Sequence, residues 1–126
     1  MIIIPYKSIG ALNFWVSENE AISLLGEPYR RTVYRRNEDE LSYESAVYRF
    51  DRSIGLVECS ATWSDVVLYG VNVPMSLLPS FIRENDPNAK ETVGFLISPA
   101  YGISIDLEHS GWISVFSFGL RDKFLS

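Results

Sequence analysis

Ser17 and Glu20 stand three residues apart at the head of an apolar stretch, and the residues from there to Pro28 constrain the fold more than any others. In that spacing each side chain can cover an orphan backbone N–H of a first helical turn. Ala21, Ile22, Leu24 and Leu25 follow as an apolar stripe at helical spacing. Gly26 can take the left-handed conformation that ends a helix, and Pro28 prevents its resumption. The stretch Ile9 to Pro28 therefore predicts an extended lead-in, a short capped helix and a hard stop.

The chain around it reads mostly as strands. Ile2 to Ile4 predicts a short strand that Pro5 ends, suited to a sheet edge or a strand end. After the helix come Arg31 to Arg36, a polar tip at Asn37 to Glu40, and a strand over Leu41 to Phe50. Its alternation puts Ala46, Tyr48 and Phe50 on one face and Ser45, Val47 and Arg49 on the other. Gly55 to Trp63 alternates as well, with Val57, Cys59, Ala61 and Trp63 inward and Glu58, Ser60 and Thr62 outward. Val66 to Val73 is apolar on both faces, as in a central strand or one covered twice. Leu77, Leu78, Phe81 and Ile82 mark a second helix within Met75 to Glu84. Pro79 either sits in its first turn or kinks it, and Asp86-Pro87 ends it. Glu91 to Ile97, Gly102 to Glu108 and Gly111 to Phe118 predict three further strands, the last two joined at His109-Ser110-Gly111.

The expected fold class is thus α+β: an antiparallel sheet of roughly six to eight strands with two short helices on one face. A length of 126 residues fits a single domain, 1–126. A helix followed by strands occurs twice, in 9–64 and 65–126, with Tyr43 matching Tyr101, Phe50 matching Leu107, and Gly55-Leu56-Val57 matching Gly111-Trp112-Ile113. An internal duplication is one reading of that echo; generic strand-turn-strand likeness is the other. Duplication would give one continuous sheet whose second face stays open.

Composition narrows the chemistry. The formal net charge of −5 disfavours a nucleic-acid partner, which requires a basic surface, and suits a partner that is itself basic. A single cysteine excludes an internal disulfide and a thiolate metal site. Met1 to Pro5 lacks the features of a signal peptide and no run is long enough for a membrane helix, so the expected location is the cytoplasm.

No catalytic constellation emerges, and no cofactor or metal is expected. His109 is the only histidine and falls at a hairpin tip, Cys59 falls on an apolar strand face, and no nucleophile elbow, phosphate loop or dinucleotide fingerprint occurs. Glu38, Asp39 and Glu40 read as a solvated tip. Asp106 and Glu108, two apart, leave one sheet face and are the only acids placed for acid–base work. Arg30, Arg31, Arg35 and Arg36 flank Tyr34, a pattern open to single-strand nucleic acid, but Glu38, Asp39, Glu40 and Glu44 can neutralise them across the hairpin. Trp112, Phe116 and Phe118 share one parity while Ile113 and Val115 share the other, so that strand is apolar on both faces. If the outer face is uncovered, it is a contact surface. The candidate partner-binding residues are accordingly Tyr43, Arg49, Glu58, Asp106, Glu108, Trp112 and Phe116.

Ser17, Glu20, Leu25, Gly26 and Pro28 also form a pattern that resembles the N-terminal helix motif of the BamE/SmpA-like and beta-lactamase-inhibitor-protein-like fold. Small bacterial immunity proteins, including those of contact-dependent growth inhibition, contain similar stretches. Trp15 departs from the pattern by standing where a glycine is common. The resemblance implies a short helix against an antiparallel sheet, tandem copies in the inhibitor, and protein binding through an open sheet face. The leading expectation is a non-enzymatic immunity or inhibitor protein that occludes a toxin domain, such as a nuclease. A homodimeric assembly module acting through the Trp112 strand is the first alternative. A small enzyme or ligand-binding domain using Asp106 and Glu108 is the second.

Overall fold

The computed structural model describes residues 1–120. The last six residues of the expected second half, 65–126, lie outside the described residues. In chain order the elements are β1 (Ile2–Ile4), β2 (Ser8–Ile9), β3 (Leu12–Asn13), α1 (Glu18–Leu25), β4 (Arg30–Arg35), β5 (Glu38–Ser42), β6 (Ala46–Asp51) and β7 (Gly55–Ala61). They continue with β8 (Asp65–Leu68), β9 (Val71–Pro74), a 3-10 turn at Met75–Leu77, α2 (Leu78–Asn85), β10 (Lys90–Thr92), β11 (Phe95–Ser98), β12 (Ile103–Asp106), β13 (Ile113–Phe116) and a closing 3-10 turn at Phe118–Leu120. The fold is α+β.

α1 forms where its cap and stop place it. Ser17 Oγ accepts from the Glu20 N–H at 3.2 Å, while Gly26 at φ 88° donates its N–H to the Ile22 carbonyl at 2.8 Å. Within the expected stripe Ala21 is fully buried, Ile22 and Leu25 pack partly against the core, and Leu24 is exposed. Trp15 has φ 73°, in the left-handed region that glycine prefers. α2 begins at Leu78 with Pro79 in its first turn and buries Leu78 and Ile82. Asp86 ends it: its N–H reaches the Ile82 carbonyl, and its buried carboxylate accepts from Ser98 Oγ, Ala100 N and Asn88 N.

Eight strands form one antiparallel sheet in the order β10-β11-β12-β13-β7-β6-β5-β4. The strand order is symmetric: each helix precedes a four-strand meander, and the last strands of the two meanders, β7 and β13, pair at the centre. A single continuous sheet is not what forms, however. β1, β2, β3, β8 and β9 make a second, five-stranded sheet in which β1 runs parallel to β8.

Short turns explain the difference. Val66 to Val73 is two strands folded at Tyr69 and Gly70, whose φ values are 49° and 80°. Glu91 to Ile97 is likewise divided at Val93 and Gly94, at φ 37° and 83°. Positive φ at both central residues matches the two-residue hairpin turn whose twist suits flanking strands. The expected tip at Asn37 to Glu40 is also displaced: Glu38–Ser42 is β5, and a turn at 43–45 separates it from β6. β1 lies between β2 and β8 rather than at an edge, although it does end before Pro5.

One hydrophobic core draws on both helices and both sheets. Ala21, Leu78 and Ile82 from the helices meet Ile3, Ile9, Leu12, Val66, Leu68 and Val73 from the small sheet. Against them lie Leu41, Tyr48, Phe50, Leu56, Cys59, Ile103, Ile113 and Val115 from the large sheet. Both helices and the small sheet therefore sit on one face of the large sheet. A register jump opposite Arg49 and Phe50 gives Leu56 the core position and displaces Val57 from it.

Candidate functional site

The opposite face of the large sheet is assembled by register. One row runs Thr32, Glu40, Arg49, Glu58 and Phe116 across β4, β5, β6, β7 and β13. The next runs Ser42, Val47, Ser60, Ser114, Ser104 and Ile97. Beyond it stand Trp112, Asp106 and Phe95, where the Asp106 N–H donates to the Trp112 carbonyl at 3.0 Å and Phe95 is the Cα partner of Asp106.

The first row is an ionic ladder. The Arg49 guanidinium donates to Glu40 Oε2 at 2.8 Å and to Glu58 Oε1, and lies 3.9 Å from the Tyr34 ring centroid. Glu58 is buried rather than a solvated rim residue, because Arg49 and its strand neighbours cover it. Phe116 is fully buried and meets Tyr6 edge-on at 6.0 Å, so it is no contact residue in this conformation. Tyr43 sits in the turn before β6 on the core side, packs against Tyr48, and donates its O–H to the Gly26 carbonyl at 2.8 Å. It secures the end of α1 instead of lining the outer face.

The basic cluster is not neutralised across its hairpin as expected. Asp39 takes a two-pronged contact from Arg52, at 3.0 Å and 2.8 Å, and Glu40 goes to Arg49. From the cluster itself, Arg31 approaches Glu18 at 3.9 Å and Arg35 stacks on Tyr34. The Arg52 hydrogen bonds hold Asp39 below the usual carboxylate range, whereas desolvation and the adjacent Asp39 raise Glu18.

Around Trp112 the face hollows. Ser60, Phe95, Ser104, Asp106, Trp112 and Ser114 line a cleft of about 160 Å³, with Ser60 Oγ and Ser114 Oγ 3.1 Å apart on its floor. Trp112 and Phe95 are each 42% exposed. Asp106 Oδ1 accepts the N–H groups of Glu108 and His109, both at 3.0 Å, and Oδ2 lies 2.9 Å from His109 Nδ1. Partial desolvation opposes ionisation, but those hydrogen bonds prevail and hold Asp106 below its ordinary value. Glu108 does not join it: β12 ends at Asp106, and the Glu108 side chain lies beside Gly94. Thus Asp106 and Trp112 are brought together, Arg49 and Glu58 are paired to each other, and Tyr43, Glu108 and Phe116 lie elsewhere. Phe95 and the serines are additional; the outward parity of Ser104 and Ser114 was a usable signal.

Other features carry less chemistry. A larger hollow of about 310 Å³ between β9 and α2 is lined mainly by Val71, Val73, Pro74, Leu77 and Phe81. Burial pushes the Cys59 thiol far up, which suits an inert core residue. Among the described residues no group of three or more His, Cys, Asp or Glu could hold a metal ion. No helix among them is long and apolar enough to cross a membrane. β13 lies between β12 and β7, so its backbone is already paired and unavailable for strand-to-strand dimerisation.

The site and fold define a two-sheet α+β protein with a half-exposed aromatic cleft on the sheet face its helices leave bare. No family model matches the chain, and neither a curated protein nor a solved structure does.

Proposed function

We propose that this chain is a non-enzymatic immunity or inhibitor protein of the cytoplasm that binds a toxin domain and occludes its active site. The observation that carries the reading is the cleft between Trp112 and Phe95 on the outer face of the large sheet. A half-exposed tryptophan beside a second aromatic, at the strand ends of a broad face and surrounded by polar groups, has the composition of an interface hot spot. The net charge of −5 favours a basic partner such as a nuclease, for which it would raise the association rate.

Co-purification with the product of the neighbouring reading frame tests the proposal. The expected outcome is a stable one-to-one complex that protects cells from that product, weakened about tenfold or more by Trp112→Ala at an interface hot spot. A folded, monodisperse protein that binds no neighbour and rescues no toxicity overturns it. A symmetric dimer lost on Trp112→Ala would instead support the assembly reading.

A further inference from the structure

The cleft has a chemical bias that a general contact surface would lack. Its polar side-chain groups are the Asp106 carboxylate and the hydroxyls of Ser60, Ser104 and Ser114. An ionised carboxylate only accepts hydrogen bonds, while the serine hydroxyls can rotate to accept or to donate. Trp112 adds an indole ring to the lining, and the His109 ring donates to Asp106 beside it. Three acceptor positions of Asp106 are engaged by its own turn, which fixes the carboxylate between Phe95 and Trp112. A carboxylate offers about four such positions, so one stays open. An anion would be repelled by the Asp106 carboxylate. An ammonium or guanidinium group carries donors only, and its charge is attracted both to a carboxylate and to the faces of aromatic rings.

Size points the same way. The cleft has a volume of about 160 Å³. That is below the range of about 300 Å³ upward typical of small-molecule sites. It suits one long side chain, whose methylenes would lie along the rings. The geometry points to a socket for a single lysine or arginine side chain, presented by the protein partner. This inference rests on the partner-binding reading for the source of the side chain, but the socket itself can be probed without any partner.

The test titrates the intact protein with acetyl-arginine-amide and acetyl-lysine-amide, using acetyl-leucine-amide and matched sodium chloride as controls. The readout is the indole N–H resonance of Trp112, assigned by its loss in Trp112→Phe. Both cationic probes are expected to give saturable shifts in the millimolar range, while the leucine probe and salt do not. Asp106→Asn keeps a carbonyl oxygen for the turn and should weaken the cationic probes about three- to fivefold, the size of one exposed charge contact. Phe95→Ala, at an already half-exposed ring, should weaken them similarly and covers the case in which Asp106→Asn fails to fold. Absence of a saturable shift, an equal response to the leucine probe, or unchanged binding in the folded variants overturns the socket. A chain that captures its partner but ignores the probes refutes the socket alone. One that binds the probes but no partner refutes the inhibitor reading alone.

Discussion

Arg49 lies between the carboxylates of Glu40 and Glu58 and under the ring of Tyr34, with 14% of its side chain exposed. Glu58 is deeper, at 7%, while Glu40 at 21% keeps some water. Removing the cation therefore leaves one carboxylate that can hydrate and one that cannot. Breaking a buried pair from one side costs about 3–5 kcal/mol. Arg49→Met should fall near the lower end, about 3 kcal/mol, and adding Glu58→Leu to it should recover most of that loss. Urea unfolding of the two variants checks this; a single-variant loss under about 1 kcal/mol would mean that Glu58 rehydrates freely. The outward parity of Arg49 and Glu58 was legible in the alternation of their strands. Their burial was not, because it depends on register between strands and on Tyr34 from a third strand. Cys59 needed no such information, since its own alternation already placed it in the core.

At the level of elements, what could be read was whatever local chemistry decides. The cap at Ser17 and the stop at Gly26 depend on residues within a few places of one another. Pro79 allowed either a first-turn position or a kink, and the start of α2 at Leu78 decides for the first turn. The two hairpin turns were hidden because only their second residue is a turn former: Tyr69 and Val93 continue the apolar pattern through a reversal. Val93 makes the cost explicit. It is 94% exposed with φ 37°, so it gains little from packing and holds a β-branched side chain in a left-handed conformation. That region costs ordinary residues about 1–2 kcal/mol, and asparagine tolerates it better. Val93→Asn should raise stability by about 0.5–1 kcal/mol, seen as a melting temperature higher by a few degrees. A lower melting temperature would show that Val93 makes a contact in the native state worth more than the strain.

On the scale of the whole molecule, helix and strand content was legible, but the division into two sheets was not. The small sheet depends on Ile2 pairing with Val67 and Ile3 with Leu68, across more than half the chain. No local pattern encodes such a pairing. The same pairing bears on whether the two helix-and-meander halves behave as separate units. β1 joins β8 in one sheet, β7 joins β13 in the other, and the core takes residues from both halves. Unfolding either half alone would expose the β7 or β13 edge and strip cover from Cys59, Ala61, Ile113 and Val115, all buried. Burial of side chains that size stabilises by about 1.5–3 kcal/mol each for the larger ones, so a half-folded state forfeits several such contributions at once. The full chain should then unfold in one cooperative transition. Two double variants separate the halves: Trp63→Phe with Trp112→Phe leaves Trp15 as the fluorophore, and Trp15→Phe with Trp63→Phe leaves Trp112. Their urea midpoints, corrected for each variant's stability by circular dichroism, should coincide. If Trp15 and Trp112 report separate transitions within variants of equal stability, the seam between β7 and β13 is too weak to couple the halves, and the symmetric strand order reflects two units that fold independently.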